Sequence, residues 1–127
     1  MELIKCSNLP GAHWDAILDI RNENREGFGD SNLIHSGAHC KYMFNNFSNY
    51  LLCVENEEVL GFIGHVKNDI RVATKKEHQR KGVAKFMVQE FCNIFPGCSA
   101  KIKINNSASL ELFKSCGFKK RYYLLER

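Results

Sequence analysis

The residues best placed to do chemistry are Gln79-Arg80-Lys81-Gly82-Val83-Ala84, a basic stretch with one glycine at the entry to an apolar-periodic segment. If a strand hands over to a helix here, the first helical N–H groups have no intrahelical acceptor. The helix dipole then adds partial positive charge at the same point. A pyrophosphate can be received by such a row of N–H groups, with Gly82 leaving the backbone open to it. Lys75, Lys76, Arg80, Lys81 and Lys85 crowd this turn, opposed only by Glu77. The alternative is an ordinary strand-to-helix turn with a solvated basic face.

The elements around this turn follow from hydrophobic period. Residues 2–6 suit a first strand, and Pro10-Gly11 precedes a helical stretch with Trp14, Ile17 and Leu18 on one face, ending near Gly27 and Gly29. A weaker helical stretch follows Ser36 and carries Cys40, Met43 and Phe44. Tyr50 to Glu55, Val59 to Val66 and Ile70 to Thr74 read as successive antiparallel strands, separated by the turn residues Asn56-Glu57-Glu58 and Lys67-Asn68. From Val83 the period becomes helical, with rows Val83, Met87, Ile94 and Ala84, Val88, Phe91, Phe95, until Pro96-Gly97. Lys101-Ile102-Lys103-Ile104 alternates as a strand, Asn105 or Asn106 can cap a short helix, and Gly117 can end it. Phe118 to Glu126 reads as a closing strand. The order β-α-α-β-β-β-α-β-α-β implies an α/β fold, an α+β mixed sheet with helices on its faces.

Composition bounds the rest. A chain of 127 residues, 44% hydrophobic and 25% charged, makes one domain spanning 1–127. No apolar run approaches a membrane span, and the N-terminus lacks a signal pattern, so a cytoplasmic location is expected. The six cysteines form no C-x-x-C pair and read as reduced thiols. His35 and His39 lie four apart without a third ligand, so no metal is expected. A net charge of +4 does not by itself argue for nucleic acid.

Two segments together resemble the GNAT superfamily of acyl-CoA-dependent N-acyltransferases. Ile70 to Thr74 leading into Gln79-Arg80-Lys81-Gly82-Val83-Ala84 is similar to the family's Q/R-x-x-G-x-G/A motif after a strand. Asn106-x-x-Ser109-x-x-Leu112-Phe113-x-x-x-Gly117-Phe118 resembles its N-x-x-A/S-x-x-L-Y-x-x-x-G-F segment. The resemblance implies a GNAT-like fold and acetyl-CoA as co-substrate, with an amine as acceptor and no metal. It implies that backbone N–H groups of residues 80–84 hold pyrophosphate. The strand through Val72, Ala73 and Thr74 would splay from Ile102–Ile104 and take the pantetheine arm, with Asn106 assisting and Phe113 against the arm. A plain helix N-cap is the other reading of Asn106.

Transfer to an amine requires a neutral nucleophile and a donor for the oxyanion, which a backbone N–H near Thr74 can supply. Where the family commonly has a Tyr as general acid, this chain has Phe113, which cannot donate a proton. Substitutes are a water, Ser109, or Tyr122 and Tyr123; Cys116 reads as a core thiol. Asp69 is the first candidate base and His65 the second, although each has a structural alternative as turn or strand residue.

Arg21-Asn22, Phe28 and His39 are loosely similar to N-acetyltransferases acting on nucleotide-linked amino sugars, which implies a substrate-binding role for Arg21, Asn22 and His39. Solvated helix-end residues are the alternative. A macromolecular amine is the second hypothesis, on protein or aminoacyl-tRNA, for which Lys114, Lys119, Lys120 and Arg121 leave room. A non-catalytic acyl-CoA-binding domain is the third, resting on Phe113. The stretch after Phe118 holds one strand, not the hairpin common in the family. An exposed sheet edge is therefore expected, which a homodimer would cover.

Overall fold

In the computed structural model, which describes residues 1–127, two tight hairpins organise the sheet. Asn56 and Glu57 have φ of 51° and 66°, and Lys67 and Asn68 have 52° and 67°. Positive φ at both central positions is the type I′ geometry whose twist matches antiparallel strands. The hairpins join β2 (Tyr50–Glu55), β3 (Glu58–Val66) and β4 (Asp69–Thr74), while β1 (Glu2–Lys5) pairs with β2. The sheet order is β1-β2-β3-β4 and every pair is antiparallel.

Helices cover both faces. On one, α1 (Ala12–Glu23) and α2 (Ser36–Asn46) bury Trp14, Ile17, Ile20 and Met43 against Leu52, Phe62 and Ala73. On the other, α3 (Val83–Ile94) buries Val83, Met87, Val88 and Phe91 against Cys53, Ile63 and Ile70, and α4 (Ser107–Ser115) adds Phe113. Strand alternation accounts for the division: Ile70 and Val72 face α3, and Ala73 faces α1. The apolar row of α3 stops short of its end, where Ile94 is exposed. All six cysteines are free, and burial pushes the Cys6 thiol up to about 11. No helix is long and apolar enough to cross a membrane.

Two expected strands do not form. The parallel part of the sheet is reduced to one bridge, Asp69 with Ser99. Beyond it the Lys101 N–H turns to the Asp69 carboxylate at 3.0 Å, and the chain bends so that Asn106 N–H meets Lys103 C=O at 2.9 Å. Without a strand at 101–104, residues 118–126 have no ladder to join, and Tyr122, Tyr123 and Leu125 are exposed. The α4 end matches its sequence signals. Gly117 takes φ of 91°, and the Gly117 and Phe118 N–H groups reach Lys114 and Phe113 carbonyls, a Schellman closure.

Two glycines in β3 are fixed by close approach. A Cβ at Gly64 would lie 2.5 Å from Asn49 O and 2.5 Å from Tyr50 Cδ1, and one at Gly61 would lie 2.6 Å from Ala73 O. Gly64→Ala should therefore lower unfolding free energy by about 2–3 kcal/mol, as overpacked sites do. Urea titration of the variant beside the parent checks this, and a loss under 0.5 kcal/mol on that scale would contradict it.

Candidate active site

The outer edge of β4 defines the site. Its neighbour β3 is bonded by alternate residues, Lys75 N–H reaching Leu60 C=O at 2.8 Å, so the intervening residues point outward. Ile70 N–H meets Ser99 C=O at 2.9 Å on that outer side. By the same period the N–H and C=O of Val72 and the N–H of Thr74 also face outward, but past Ser99 no strand is there to meet them. The two segments diverge into a cleft lined by Ile70, Arg71, Val72, Ala100, Lys101 and Ile102, with Asn106, Ser109 and Phe113 on the α4 side. Gly27, Phe28 and Gly29, from the connection after α1, line the other side. Its enclosed part measures about 50 Å³, a slot rather than a chamber.

At the far end of β4 lies the turn into α3. Arg80 has φ of 64° and Gly82 of 80°. This left-handed step is costly for a residue with a Cβ and easy for glycine. It leaves Gly82 as N-cap of α3 with no side chain capping the helix. Phe86 N–H closes onto Gly82 C=O at 3.0 Å, so the N–H groups just before it are the orphans of the first turn. A Cβ at Gly82 would meet nothing within 4 Å, so the concavity is open. Arg80 and Lys81 are exposed at its rim, while Val83 is buried beneath.

Asn24, which no local sequence pattern singles out, ties these parts together. Its Nδ2 donates to Thr74 C=O at 2.9 Å and to Ile20 C=O at 2.8 Å, and its Oδ1 accepts from Gln79 Nε2 at 2.9 Å. The neighbouring Glu23 carboxylate accepts from Lys76 N–H at 2.8 Å. The end of α1 thus fixes both the last carbonyl of β4 and the start of the turn. On the other flank, Glu58 holds His78 at 2.8 Å, and the Lys75 ammonium sits 3.8 Å from Glu58 and 3.1 Å from Glu77. Glu58, Glu77 and His78 have the spacing of a cation site, but the Lys75 ammonium already pairs with both carboxylates.

The remaining sequence candidates fall into distinct places. Asn106 accepts from Ser109 N–H at 3.1 Å through Oδ1, leaving its amide nitrogen beside Gly27 in the cleft. Thr74 is buried and its Oγ1 has no partner, the kind of orphan a bound ligand can satisfy. Phe113 is buried, lines the cleft and packs edge-on against Phe118 at 5.1 Å. Asp69 accepts from Lys101 N–H and pairs with Arg71 at 3.4 Å. His65 faces Phe91 of α3 and Phe95 just beyond its end, with Nδ1 buried and unpartnered, and it does not line the cleft. Tyr122 stands in the exposed terminal segment.

Arg21, Asn22 and His39 all hold backbone. The Arg21 guanidinium donates to the carbonyls of Asn32, at 2.6 Å, and Asp30, and it lies 5.2 Å from the Phe28 ring centroid. Asn22 exchanges a reciprocal pair with Ile34, 2.9 Å each way. His39 Nε2 donates to Trp14 C=O at 2.8 Å, joining α2 to α1. Arg21 and Asn22 set the course of the connection that carries Phe28 and Gly29 to the cleft, and His39 fixes the helix that follows it.

A splayed strand edge, an uncapped helix start behind a left-handed glycine, and an asparagine at the cleft mouth fit an acyl-CoA arm and its pyrophosphate. The family model for the GNAT acetyltransferase family matches residues 14–118. The chain belongs to the GNAT family. Its fold is that of a ribosomal-protein-alanine N-acetyltransferase from Brucella melitensis, with a TM-score of 0.80 at 16% identity over 94% of this chain and 85% of that one. An acetyltransferase from Salmonella typhimurium, solved with its cofactor acetyl-CoA, gives 0.75 at 18% identity over 93% and 79%. Diaminobutyrate acetyltransferase from Paenibacillus lautus, with its substrate and coenzyme A, gives 0.64 at 16% over 90% and 72%. No curated protein sequence matches the chain. This GNAT domain is an N-acetyltransferase, and the Salmonella typhimurium neighbour of the same fold holds acetyl-CoA as its cofactor.

Two outcomes follow from the geometry. Gly82→Ala should cost about 1–2 kcal/mol of stability through its left-handed φ and weaken CoA binding, read by calorimetry. Burial lowers the His39 pKa below its ordinary value. With the folded value depressed, the unfolded chain binds the extra proton first. Stability is therefore full above about pH 6.5 and falls as pH drops from there toward the folded pKa. His39→Gln, which keeps a donor for Trp14 C=O, should flatten this part of the pH profile of unfolding free energy.

Proposed function

We propose that this GNAT enzyme transfers acetyl from acetyl-CoA to a primary amine on a small molecule such as an amino sugar, by direct attack of the amine on the thioester. The observation that carries the reading is the unpaired outer edge of β4, continuous with the open turn at Gly82. In this reading the N–H groups of residues 80–84 hold the pyrophosphate, with Gln79, Arg80 and Lys81 around them. Val72, Ala73 and Thr74 carry the pantetheine arm, and Asn106 Nδ2 and Phe113 bound it from α4. A β4 N–H facing the cleft is the oxyanion donor, fixed in place before reaction and so needing no reorganisation. The amine enters from the side of Gly27, Phe28 and Gly29, so Arg21, Asn22 and His39 act on the acceptor by shaping that connection.

Proton handling rests on few groups. Asp69, flanked by the cleft residues Ile70, Arg71 and Lys101, is the candidate base. Both its oxygens are engaged, so it acts on the amine through water. His65 and Tyr122 are second choices, each requiring movement to reach the cleft. Phe113 leaves the departing thiolate without a phenol, so water or the cleft hydroxyl of Ser109 protonates it. A thiol pKa of about 8.5 makes that tolerable, and the missing acid costs about 10²-fold or more in rate.

One substitution probes a transfer that runs without a phenol at the leaving thiolate. Phe113→Tyr, which restores a phenol at the cleft, should raise kcat about tenfold or more and add an alkaline limb near pH ~10 to the rate profile. Thiol release from acetyl-CoA with a panel of amines measures both. Absence of CoA binding by calorimetry in the folded parent would remove the proposal altogether.

A further inference from the structure

The cleft carries an imbalance of charge that bears on which amine it accepts. Its charged lining residues are Arg71 and Lys101, and no carboxylate lines it. Lys103 adds a third cation at the same rim, its Nζ donating to Glu26 C=O at 3.0 Å. Asp69 is the adjacent acid. One of its oxygens takes Lys101 N–H, and the other lies 3.4 Å from Arg71 Nη2, on a carboxylate that is itself 18% exposed.

Arg71 differs sharply from the other arginine of this region. Arg21 is buried, with its guanidinium fixed on two loop carbonyls and the Phe28 ring. Arg71 has the long Asp69 contact and no hydrogen bond, and its side chain is 34% exposed. A guanidinium carries five N–H donors in a planar fork suited to a carboxylate or phosphate. Strand alternation puts Arg71 on the same face as Ala73, the α1 side, where Gly27, Phe28 and Gly29 form the opposite wall. That is the acceptor side of the cleft in the reading above, away from the turn at Gly82.

We infer that Arg71 binds an anionic group, carboxylate or phosphate, carried by the acceptor amine, and that the enzyme discriminates against polycationic amines. The inference rests on the acetyl-transfer reading and narrows it. An amino sugar would qualify when it also bears phosphate, and an amino acid through its carboxylate. A polyamine would meet Arg71 and Lys101 as like charges, offset only by Asp69, whose two oxygens already serve Arg71 and the Lys101 N–H.

Matched acceptors test this. A 2-amino sugar is compared with its 6-phosphate, a free ω-amino acid with its primary amide, and a linear triamine is included as the polycation. The readouts are kcat/KM from thiol release and, in parallel, the rise in Tm that each compound gives the CoA-bound protein. The anionic member of at least one pair should be favoured about tenfold or more, the scale of one charge-assisted hydrogen bond. The pair that shows the preference identifies phosphate or carboxylate. Arg71→Gln should bring the ratio within that pair close to one, a change a general folding defect would not produce. Ratios near one in the parent by both readouts, a ratio retained in Arg71→Gln, or the triamine as best acceptor would overturn the inference while leaving acetyl transfer intact. Failure of the parent to bind CoA would remove the transfer reading and this inference with it.

Discussion

Everything in this fold turns on a strand edge that pairs at one end and not at the other. β4 is bonded to its outer neighbour at Ser99 and then loses it, because the Asp69 carboxylate and the bend at Lys103–Asn106 take the next backbone groups. A buried edge with unmet N–H and C=O groups is normally a defect to be covered. Here it opens on a cleft, so the groups left over are those an extended arm could pair with. The opening is anchored at both ends: by the Ser99 bridge at the start of β4, and by Asn24 on Thr74 C=O at its end.

That anchoring explains why the two halves of the molecule cannot be understood separately. Asn24 belongs to the tail of α1, yet it holds the last carbonyl of β4 and the side chain of Gln79. Shortly after it come Gly27, Phe28 and Gly29, the wall of the cleft facing β4, and that wall is braced by Arg21 and Asn22. The same few residues therefore set the end of β4 and the beginning of the opposite wall of the cleft. A shift of α1 would be felt on both sides of the cleft, since close-packed contacts transmit displacement rather than absorb it.

Local signals in the sequence carried most of this architecture. The β2–β3–β4 hairpins follow from alternation and from Asn56-Glu57 and Lys67-Asn68, and α3 follows from its apolar rows. Asn106 and Gly117 bracket α4 as their cap chemistry requires. What could not be read is what depends on partners distant in the chain. Lys101-Ile102-Lys103-Ile104 alternates like a strand but lacks a ladder, because its backbone is drawn to Asp69 thirty-two positions earlier. Phe118 to Glu126 then has nothing to pair with. Asn24 carries no local pattern at all, since its role exists only once Thr74 and Gln79 are brought to it. Arg21, Asn22 and His39 were visible as a group, but sequence does not distinguish a side chain that meets a ligand from one that meets a carbonyl.

Phe113 shows how such an edge bears on chemistry. Its ring is buried between the cleft and Phe118, where a phenol would need a hydrogen-bond partner that a phenyl does not. Losing the hydroxyl therefore removes a polar group that the apolar packing of α4 would have to satisfy. The loss falls on leaving-group protonation, the step that a thiol of low pKa tolerates best. In the proposed mechanism attack and oxyanion stabilisation would depend, by contrast, on where the backbone of β4 points, and that is fixed by β3 on one side and Asn24 on the other. On that mechanism the fold concentrates its fixed contacts on the strand whose dipoles must be in place beforehand and leaves proton delivery to solvent and to groups at the rim.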